Sequence, residues 1–264
     1  MVAIGVAALA LLFIALWLRE RAHATRLRAR LEDAQLHLQR LEGAFARFAP
    51  QQVVDRIIAT GEAAIGEKKE VTVLFADLAS FTQLAERVEP AILVRIVNGY
   101  FERMNRVVAE HRGYVAALLG DGLLAFFGAL DANPWQSDDA AHAALAIRAE
   151  LAAYNRTLAD DGLPTIMLGV GLHRGVGVAG VVGSRELSTF SVVGPTVNLA
   201  ARVQDLTRVH GVDILLTRSV RDALDPRFAL RELPADQLRG VAGKVTTFAL
   251  EGFEAMPSGP PATG

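Results

Sequence analysis

The chain has 264 residues, of which 52% are hydrophobic and 21% are charged, and it contains no cysteine. This length suits one domain of about 200 residues with an accessory segment, and the lack of cysteine excludes disulfides, thiol catalysis and cysteine-based zinc sites. The net charge of −2 gives no electrostatic reason to expect nucleic acid as a partner, and we expect none.

Residues 1–18 are almost wholly apolar. As a helix, Val2–Leu18 would be about 26 Å long, close to the hydrocarbon thickness of a thin bilayer. Five arginines follow between positions 19 and 30, and such residues stay on the cytoplasmic side of a membrane. A cleaved signal peptide is the alternative, favoured by Ala22-His23-Ala24, but no cation precedes the apolar run. We therefore predict a single-pass anchor in the cell (inner) membrane, with the rest of the chain in the cytoplasm.

The next segment, residues 19–48, has apolar side chains at alternating steps of four and three residues. They are Leu27, Leu31, Ala34, Leu38, Leu41 and Phe45. Such a heptad pattern predicts a coiled coil, although about three heptads are near the minimum for stability. A helix that packs its apolar stripe onto the following domain is the alternative. We favour a parallel coiled coil, which makes the chain a homodimer.

Residues 49–253 carry the mixture of patterns expected of one α+β domain. Helical patterns cover 90–111 and 136–158, and a short amphipathic helix at 51–58 precedes a polar joint at 61–70. Strand patterns cover 71–75, 115–119, 123–127, 166–173 and 189–193. This order predicts a ferredoxin-like sheet, mixed or antiparallel, with helices on one face. Residues 254–264 are rich in proline and glycine, and we predict that they are disordered.

Two aspartates follow apolar runs inside this domain. Asp77 ends the run VTVLFAD, and Asp121 lies on a Gly-Asp-Gly turn between VAALL and LLAFF, which predicts a β-hairpin with Asp121 at its tip. Turn geometry or capping alone would explain either aspartate. Two carboxylates that converge from strand ends also suit divalent cations that carry phosphates, because hard cations take oxygen ligands. The pair therefore indicates nucleotide chemistry.

A third polar motif is VVGPTVNLAAR. Pro195 occupies a plausible first-turn position of an amphipathic helix. Asn198 and Arg202 are four residues apart, so both side chains lie on one face of that helix, where they could point together into a cleft. A solvated polar stripe is the alternative for this pair taken alone.

The motifs FADLASFT, LLGDGLLAFFG and VVGPTVNLAAR, in this order, resemble the catalytic domain of class III nucleotidyl cyclases, especially the bacterial class IIIb branch. The resemblance covers residues 48–253, and the lack of a GGDEF-like string counts against diguanylate cyclases. It implies that a nucleoside triphosphate cyclises to its 3′,5′-monophosphate and releases pyrophosphate. It also implies a homodimer whose active sites are shared, one protomer giving the aspartates and the other Asn198 and Arg202.

The resemblance further implies a role for each motif residue. Asp77 and Asp121, with the backbone carbonyl of Leu78, are expected to bind two Mg²⁺ or Mn²⁺ ions. Asn198 is expected to orient the ribose, and Arg202 to meet charge that develops on the phosphorus. The backbone amides where strand gives way to helix are expected to receive the phosphates. These amides belong to Ala79, Ser80, Phe81 and Thr82.

Two cations near the C-terminus are candidates for the triphosphate. Arg239 and Lys244 both lie in LRGVAGKVTTFALEGF, which is predicted to be a closing strand pair. We slightly prefer Lys244. Exposed loop cations without a ligand are the alternative for both.

The resemblance places Ala117 and Ser191 at the positions where cyclases of this family that use ATP recognise the base. Ser191 fits the hydroxyl variant of the branch, but Ala117 replaces an expected lysine and cannot donate a hydrogen bond to adenine. GTP selection would call for an acid near position 117, which is also absent. ATP is the leading substrate prediction, with GTP, CTP or UTP as alternatives. A catalytically silent domain that dimerises and relays a signal is the alternative from another class, although the four intact polar motif residues argue against it.

Overall fold

The structure is a computed structural model, and it describes residues 66–184 and 188–254. The predicted membrane anchor at 1–18, coiled coil at 19–48 and short helix at 51–58 lie outside the described residues. The predicted tail does too, apart from Glu254. These predictions stay predictions. Over the two described ranges, no helix is long enough and apolar enough to cross a membrane.

The described residues form ten strands and five helices. The strands are β1 (Glu67–Ala79), β2 (Tyr114–Leu119), β3 (Gly122–Phe127), β4 (Met167–Gly183), β5 (Ser188–Val193), β6 (Ile214–Thr217), β7 (Phe228–Glu232), β8 (Asp236–Gln237), β9 (Lys244–Val245) and β10 (Thr247–Phe253). The helices are α1 (Phe81–Arg87), α2 (Pro90–Glu110), α3 (Gln136–Asp160), α4 (Pro195–His210) and α5 (Arg218–Arg221). All five predicted strands and both long helices are present. However, β1 begins inside the predicted joint at 61–70, and β4 continues past its predicted end at 173.

Eight strands form one sheet, in the order β2-β3-β1-β4-β6-β10-β7, and β5 also pairs with β4. β1 is antiparallel to β3 and to β4, while β4 is parallel to β6. With α2 between β1 and β2 and α3 between β3 and β4, the first four strands have the βαββαβ arrangement of a ferredoxin-like fold. The predicted α+β class and ferredoxin-like sheet are therefore confirmed.

The two faces of this sheet pack against different helices. Because side chains alternate along a strand, Leu74 and Leu78 of β1 face the same way, and they join an apolar core with α2 and α3. α4 packs on the opposite face, where Val203 contributes to a second apolar cluster with Leu215 and Ala249. The prediction of helices on one face is therefore wrong for α4. An apolar stripe shows that a helix packs on something, but not which face of a sheet receives it.

Two glycines of β4 allow α4 to lie close to the sheet. A Cβ at Gly171 would lie 2.6 Å from the carbonyl oxygen of Ala200, and one at Gly169 would lie 2.9 Å from Nε2 of Gln204. Gly169 is also the cross-strand partner of Asp77. The lack of a side chain at Gly169 and at Gly171 thus lets α4 lie over the end of β1 that carries this aspartate.

The sheet also curls, so that distant strands meet. In the pairing order, β3, β1 and β4 lie between β2 and β5. Neighbouring strands are about 4.8 Å apart, so a flat sheet would separate β2 from β5 by about 19 Å. Instead, the ring centroids of Tyr114 in β2 and Phe190 in β5 are 6.0 Å apart. The curl therefore brings together the two strands that carry Ala117 and Ser191.

Candidate active site

Asp77 and Asp121 come together at one end of the sheet. Asp77 lies near the end of β1, and Ala76 beside it pairs with Leu123 of β3. This register places the β2–β3 turn next to Asp77, since a Cβ at Gly122 would lie 3.0 Å from Asp77 Oδ1. The structure thus brings together the two carboxylates that the sequence singles out.

The surroundings of Asp77 disfavour its negative charge. Burial raises the pKa of the Asp77 carboxyl above its ordinary value, and the charge of Asp121 raises it further. Arg208 acts in the opposite direction, and Asp205 adds a smaller upward effect. A divalent cation between the carboxylates would replace their lost hydration and relieve their repulsion.

Tyr100 of α2 approaches the same carboxylates from the core. Its side chain is fully buried, and its hydroxyl has no hydrogen-bond partner in the part of the chain that the structure describes. Burial, followed by the charges of Asp77 and Asp121, raises the pKa of this phenol well above its ordinary value. The hydroxyl therefore stays protonated and remains a hydrogen-bond donor.

The oxygens at this end of the sheet fit a magnesium-like ion. Across residues 66–184 and 188–254, no three or more His, Cys, Asp or Glu side chains are grouped so that they could hold a metal. A set made of Asp77, Asp121 and the carbonyl of Leu78 is therefore small. It is nevertheless suited to Mg²⁺ or Mn²⁺, because Mg²⁺ is usually bound by one or two carboxylates and completes its shell with water and substrate phosphates.

Arg208, which belongs to none of the three sequence motifs, donates hydrogen bonds to two of these oxygens. It lies in the last turn of α4, where its Nη2 donates to Asp77 Oδ2 at 2.9 Å and to the carbonyl oxygen of Leu78 at 3.1 Å. A cation in the last turn of a helix is ordinarily explained by the helix dipole. Asp77 and Arg208 are 131 residues apart in the chain, so no local pattern predicts their contact.

The segment predicted to receive phosphates directly follows Asp77 and Leu78. Ala79 ends β1, and Ser80 has φ 60° and ψ 29°, a left-handed conformation that is uncommon for residues other than glycine. This conformation turns the chain into α1, which begins at Phe81. The amides of Phe81 and Thr82 lie in the first turn and have no carbonyl partner within the helix. They are thus oriented to donate to an acceptor beyond the helix.

Asn198 and Arg202 lie in the first half of α4, whereas Arg208, which contacts Asp77, lies in its last turn. Asn198 is exposed, and the Arg202 guanidinium lies against the loop between β8 and β9, with Nη2 3.5 Å from where Gly240 would carry a Cβ. Among the described residues, Asp121, Arg208 and Asp205 are the charged groups that shift the pKa of Asp77, and Arg202 is not one of them.

The two cations that were predicted to bind the triphosphate lie in the β8–β9 loop and at the start of β9. Arg239 directly precedes Gly240, while Lys244 begins β9, and both side chains are exposed. Position 239 is therefore next to the contact with Arg202, and position 244 lies at the other end of the loop. The structure favours Arg239 as the neighbour of Arg202, and triphosphate binding by either cation stays a prediction.

Ala117 and Ser191, the predicted base-recognition residues, are both half-buried. The pairing of β2 with β3 shifts register between Val115 and Ala117, so Ala117 lies beside an irregularity in the strand. Ser191 lies opposite Gly180 in β4. The contact between Tyr114 and Phe190 joins their two strands, and the structure thus places both candidates on the same curled part of the sheet.

Comparison with known proteins gives a consistent result. The family model for the adenylate and guanylate cyclase catalytic domain matches residues 64–252. The chain is 34% identical over 184 residues to an adenylate cyclase of Anabaena cylindrica, and 31% identical over 178 residues to adenylate cyclase 1 of Rhizobium meliloti. Each match covers 67% of this chain, but the matched part is only 36% and 27% of the respective relatives. The chain thus spans about a third of their length.

Solved structures share the fold. The guanylyl cyclase Cya2 matches with a TM-score of 0.68 and 27% identity, over 74% of this chain and 97% of that one. The adenylyl cyclase CyaB from P. aeruginosa matches with a TM-score of 0.67 and 20% identity, over 72% and 97%. The non-canonical dimeric guanylyl cyclase domain of a fusion protein from Blastocladiella emersonii matches with a TM-score of 0.60 and 23% identity, over 71% and 99%. The last two likenesses concern the fold alone.

Proposed function

The chain belongs to the class III nucleotidyl cyclases, the family of the adenylate and guanylate cyclase catalytic domain, and from this premise we propose that it converts ATP to 3′,5′-cyclic AMP and pyrophosphate. The observation that carries the proposal is the convergence of Asp77 and Asp121 beside the segment 79–82. It places two carboxylates next to helix amides, which suits a metal-bound triphosphate.

Asp77, Asp121 and the Leu78 carbonyl would hold two Mg²⁺ or Mn²⁺ ions. Such ions, when bound, lower the pKa of the ribose 3′-hydroxyl and neutralise charge on the triphosphate. The amides that follow Asp77 and Leu78 would orient the phosphates from the same side. Burial around Asp77 strengthens every such electrostatic contact, because water screens it less.

Asn198 and Arg202 would serve the aspartates of a partner protomer, which makes the active form a homodimer. Both lie in the first half of α4, and the Arg202 guanidinium lies against the β8–β9 loop instead of Asp77, which supports this arrangement. The ribbon in which residues 178–183 of β4 pair with β5 supports it too, because Val182 and Val193 are exposed by 43% and 46%. Exposed apolar side chains clustered on one ribbon are typical of an interface. In such a site, Arg202 would stabilise charge that grows on the transferring phosphorus.

The preference for ATP rests on the two relatives that are named adenylate cyclases. Ser191 offers a hydroxyl that can donate to or accept from a base, whereas Ala117 offers no polar atom. The site therefore has fewer polar groups with which to reject a wrong base. A cyclase for GTP, CTP or UTP is the second candidate, and Ala117 is the residue that favours it.

Residues 1–48 would connect this domain to a membrane. We propose that residues 1–18 are a single-pass anchor in the cell (inner) membrane and that residues 19–48 form a parallel coiled coil. Residues 49–253 would then be the catalytic domain on the cytoplasmic side. The support is the apolar run, the arginines after it and the heptad pattern.

The full chain tests the proposal when it is incubated with Mn²⁺ and each of the four nucleoside triphosphates, with products identified by mass. We expect cyclic AMP from ATP, at a higher rate than any other cyclic nucleotide. An Asp77→Asn chain prepared in parallel should make cyclic AMP on the order of 10³-fold more slowly or not at all. A cyclic nucleotide from another base would support the second candidate, and no cyclic product from any triphosphate would reject the cyclase proposal.

A further inference from the structure

One guanidinium nitrogen holds the two oxygens that would bind a metal on β1. Nη2 of Arg208 is 2.9 Å from Oδ2 of Asp77 and 3.1 Å from the carbonyl oxygen of Leu78. Both oxygens therefore face the same positive group. A cation that contacts both from that side would take the place of the nitrogen, and two positive charges so close would repel each other.

The position of Arg208 is fixed by the packing of α4. Gly169 lies opposite Asp77 in the sheet, and a Cβ at Gly169 would lie 3.2 Å from Cβ of Thr207, the neighbour of Arg208. The last turn of α4 thus lies directly over the carboxylate. Gly211, with φ 64°, ends the helix immediately afterwards. The backbone at position 208 is therefore held in place, while its side chain spans the gap to Asp77.

Arg208 also balances a locally negative group of side chains. Asp77 is affected by the negative charges of Asp121 and Asp205, and Arg208 is the positive group that opposes them. At the same time, the Arg208 side chain is 53% exposed, so it has an open path into solvent. An ion pair with one exposed partner is weak enough to be displaced.

We propose that Arg208 is an internal counter-cation: it competes with a divalent cation for the oxygens of Asp77 and Leu78. Arg208 thus determines how tightly the site takes its metal. This inference rests on the proposed function, because it takes Asp77 and Leu78 as the metal's ligands. It adds Arg208 as a group that competes with the metal for these oxygens.

The test is a titration of the full chain with Mn²⁺ alone, up to millimolar concentration, without nucleotide, followed by the loss of the free-ion EPR signal. We expect Arg208→Gln to bind Mn²⁺ about three- to tenfold more tightly than the wild-type chain, since the competing ion pair is gone. Arg208→Lys should lie between the two, because an ammonium keeps the charge but is more strongly hydrated than a guanidinium. Mn²⁺ should also raise the thermal unfolding midpoint more in Arg208→Gln than in wild type.

Arg231→Gln is a matched control. Arg231 is also 53% exposed and also pairs with a carboxylate, that of Glu251, but it lies on β7 at the far edge of the sheet. Its substitution should leave Mn²⁺ affinity unchanged. Equal changes in both variants would show an effect of net charge only and would overturn the inference.

The Asp77→Asn chain separates the two proposals. If wild type binds Mn²⁺ and Asp77→Asn does not, the metal site stands. Unchanged or weaker binding by Arg208→Gln would then overturn the counter-cation alone and assign Arg208 to positioning of Asp77. Binding by Arg208→Gln but not by wild type would be the strongest support. If neither wild type nor Arg208→Gln binds Mn²⁺, the proposed metal site and the counter-cation inference are both overturned.

Discussion

The two faces of β1 contribute differently to the molecule. Leu74 and Leu78 are at most 1% exposed and pack with α2 and α3 in the larger apolar cluster. On the other face, Asp77 lies beside Asp121 and under Arg208. Apolar burial on one face thus stabilises the fold, while the charges that are held together on the other face reduce its stability. Alternate residues of β1 therefore serve stability and chemistry. Substitutions on the two faces should accordingly change different properties of the protein.

The largest expected effect is the loss of turnover when a carboxylate of the site is removed. Asp77→Asn and Asp121→Asn preserve shape but remove a charge, and the proposed metals supply several kcal/mol of stabilisation. We expect the rate with ATP and Mn²⁺ to fall on the order of 10³-fold or more. The thermal unfolding midpoint should stay close to that of wild type. Substantial activity in either variant would show that the Asp77 face of β1 does not carry the reaction.

Arg202→Ala should cause the next largest loss, on the order of 10²-fold in kcat, because the charge that it meets grows only in the transition state. Steady-state kinetics would check this, and a rise in KM alone would assign Arg202 to substrate binding. Mixing Arg202→Ala with Asp77→Asn chains should restore activity, since one of two shared sites is then intact. Failure to restore it after proven subunit exchange would argue for sites within one chain.

A smaller effect, now on stability, is expected where α4 meets the sheet. Gly171→Ala would place a Cβ 2.6 Å from the carbonyl oxygen of Ala200, so α4 must move outward. We expect the free energy of unfolding to fall by about 1–3 kcal/mol in urea denaturation. Gly252→Ala in β10 is the control, because a Cβ there meets no atom within 4 Å. Equal losses in both variants would show that strand glycine itself, and not the close helix, is responsible.

The smallest expected effect is a gain in stability from removing the charge of Asp77. Its folded pKa is raised above the ordinary value of 3.8, chiefly by burial, so the folded chain binds this proton more readily than the unfolded chain. The free energy of unfolding therefore falls as pH rises through that window, and the loss persists at neutral pH. In EDTA, Asp77→Asn should be slightly more stable than wild type at pH 7, and the difference should vanish below the unfolded pKa. A less stable variant at pH 7 would show that the Arg208 ion pair outweighs burial.

The sequence predicts β1 and the β2–β3 hairpin better than it predicts the helix that covers the Asp77 face of β1. The apolar runs that end at Asp77 and surround Asp121 are local patterns, and they predict β1 and the β2–β3 hairpin correctly. The side of the sheet that α4 covers depends on the shape of the whole sheet, and so does its close approach at Gly171. For that reason, the contact of Arg208 with Asp77 is not predictable from any one segment. The joining of β2 to β5 likewise follows from the curl of the sheet.

The backbone carbonyl oxygen of Leu78 is an atom of the candidate site that no substitution at position 78 can remove. Its side chain is 1% exposed in the core, yet its carbonyl oxygen accepts a hydrogen bond from Arg208 on the opposite side. Every amino acid brings the same carbonyl to position 78, so substitution there tests the core and leaves the acceptor in place. Selection can adjust the carboxylates or the arginine one residue at a time. The Leu78 oxygen changes only if the strand shifts its register, which would turn every side chain of β1 to the other face.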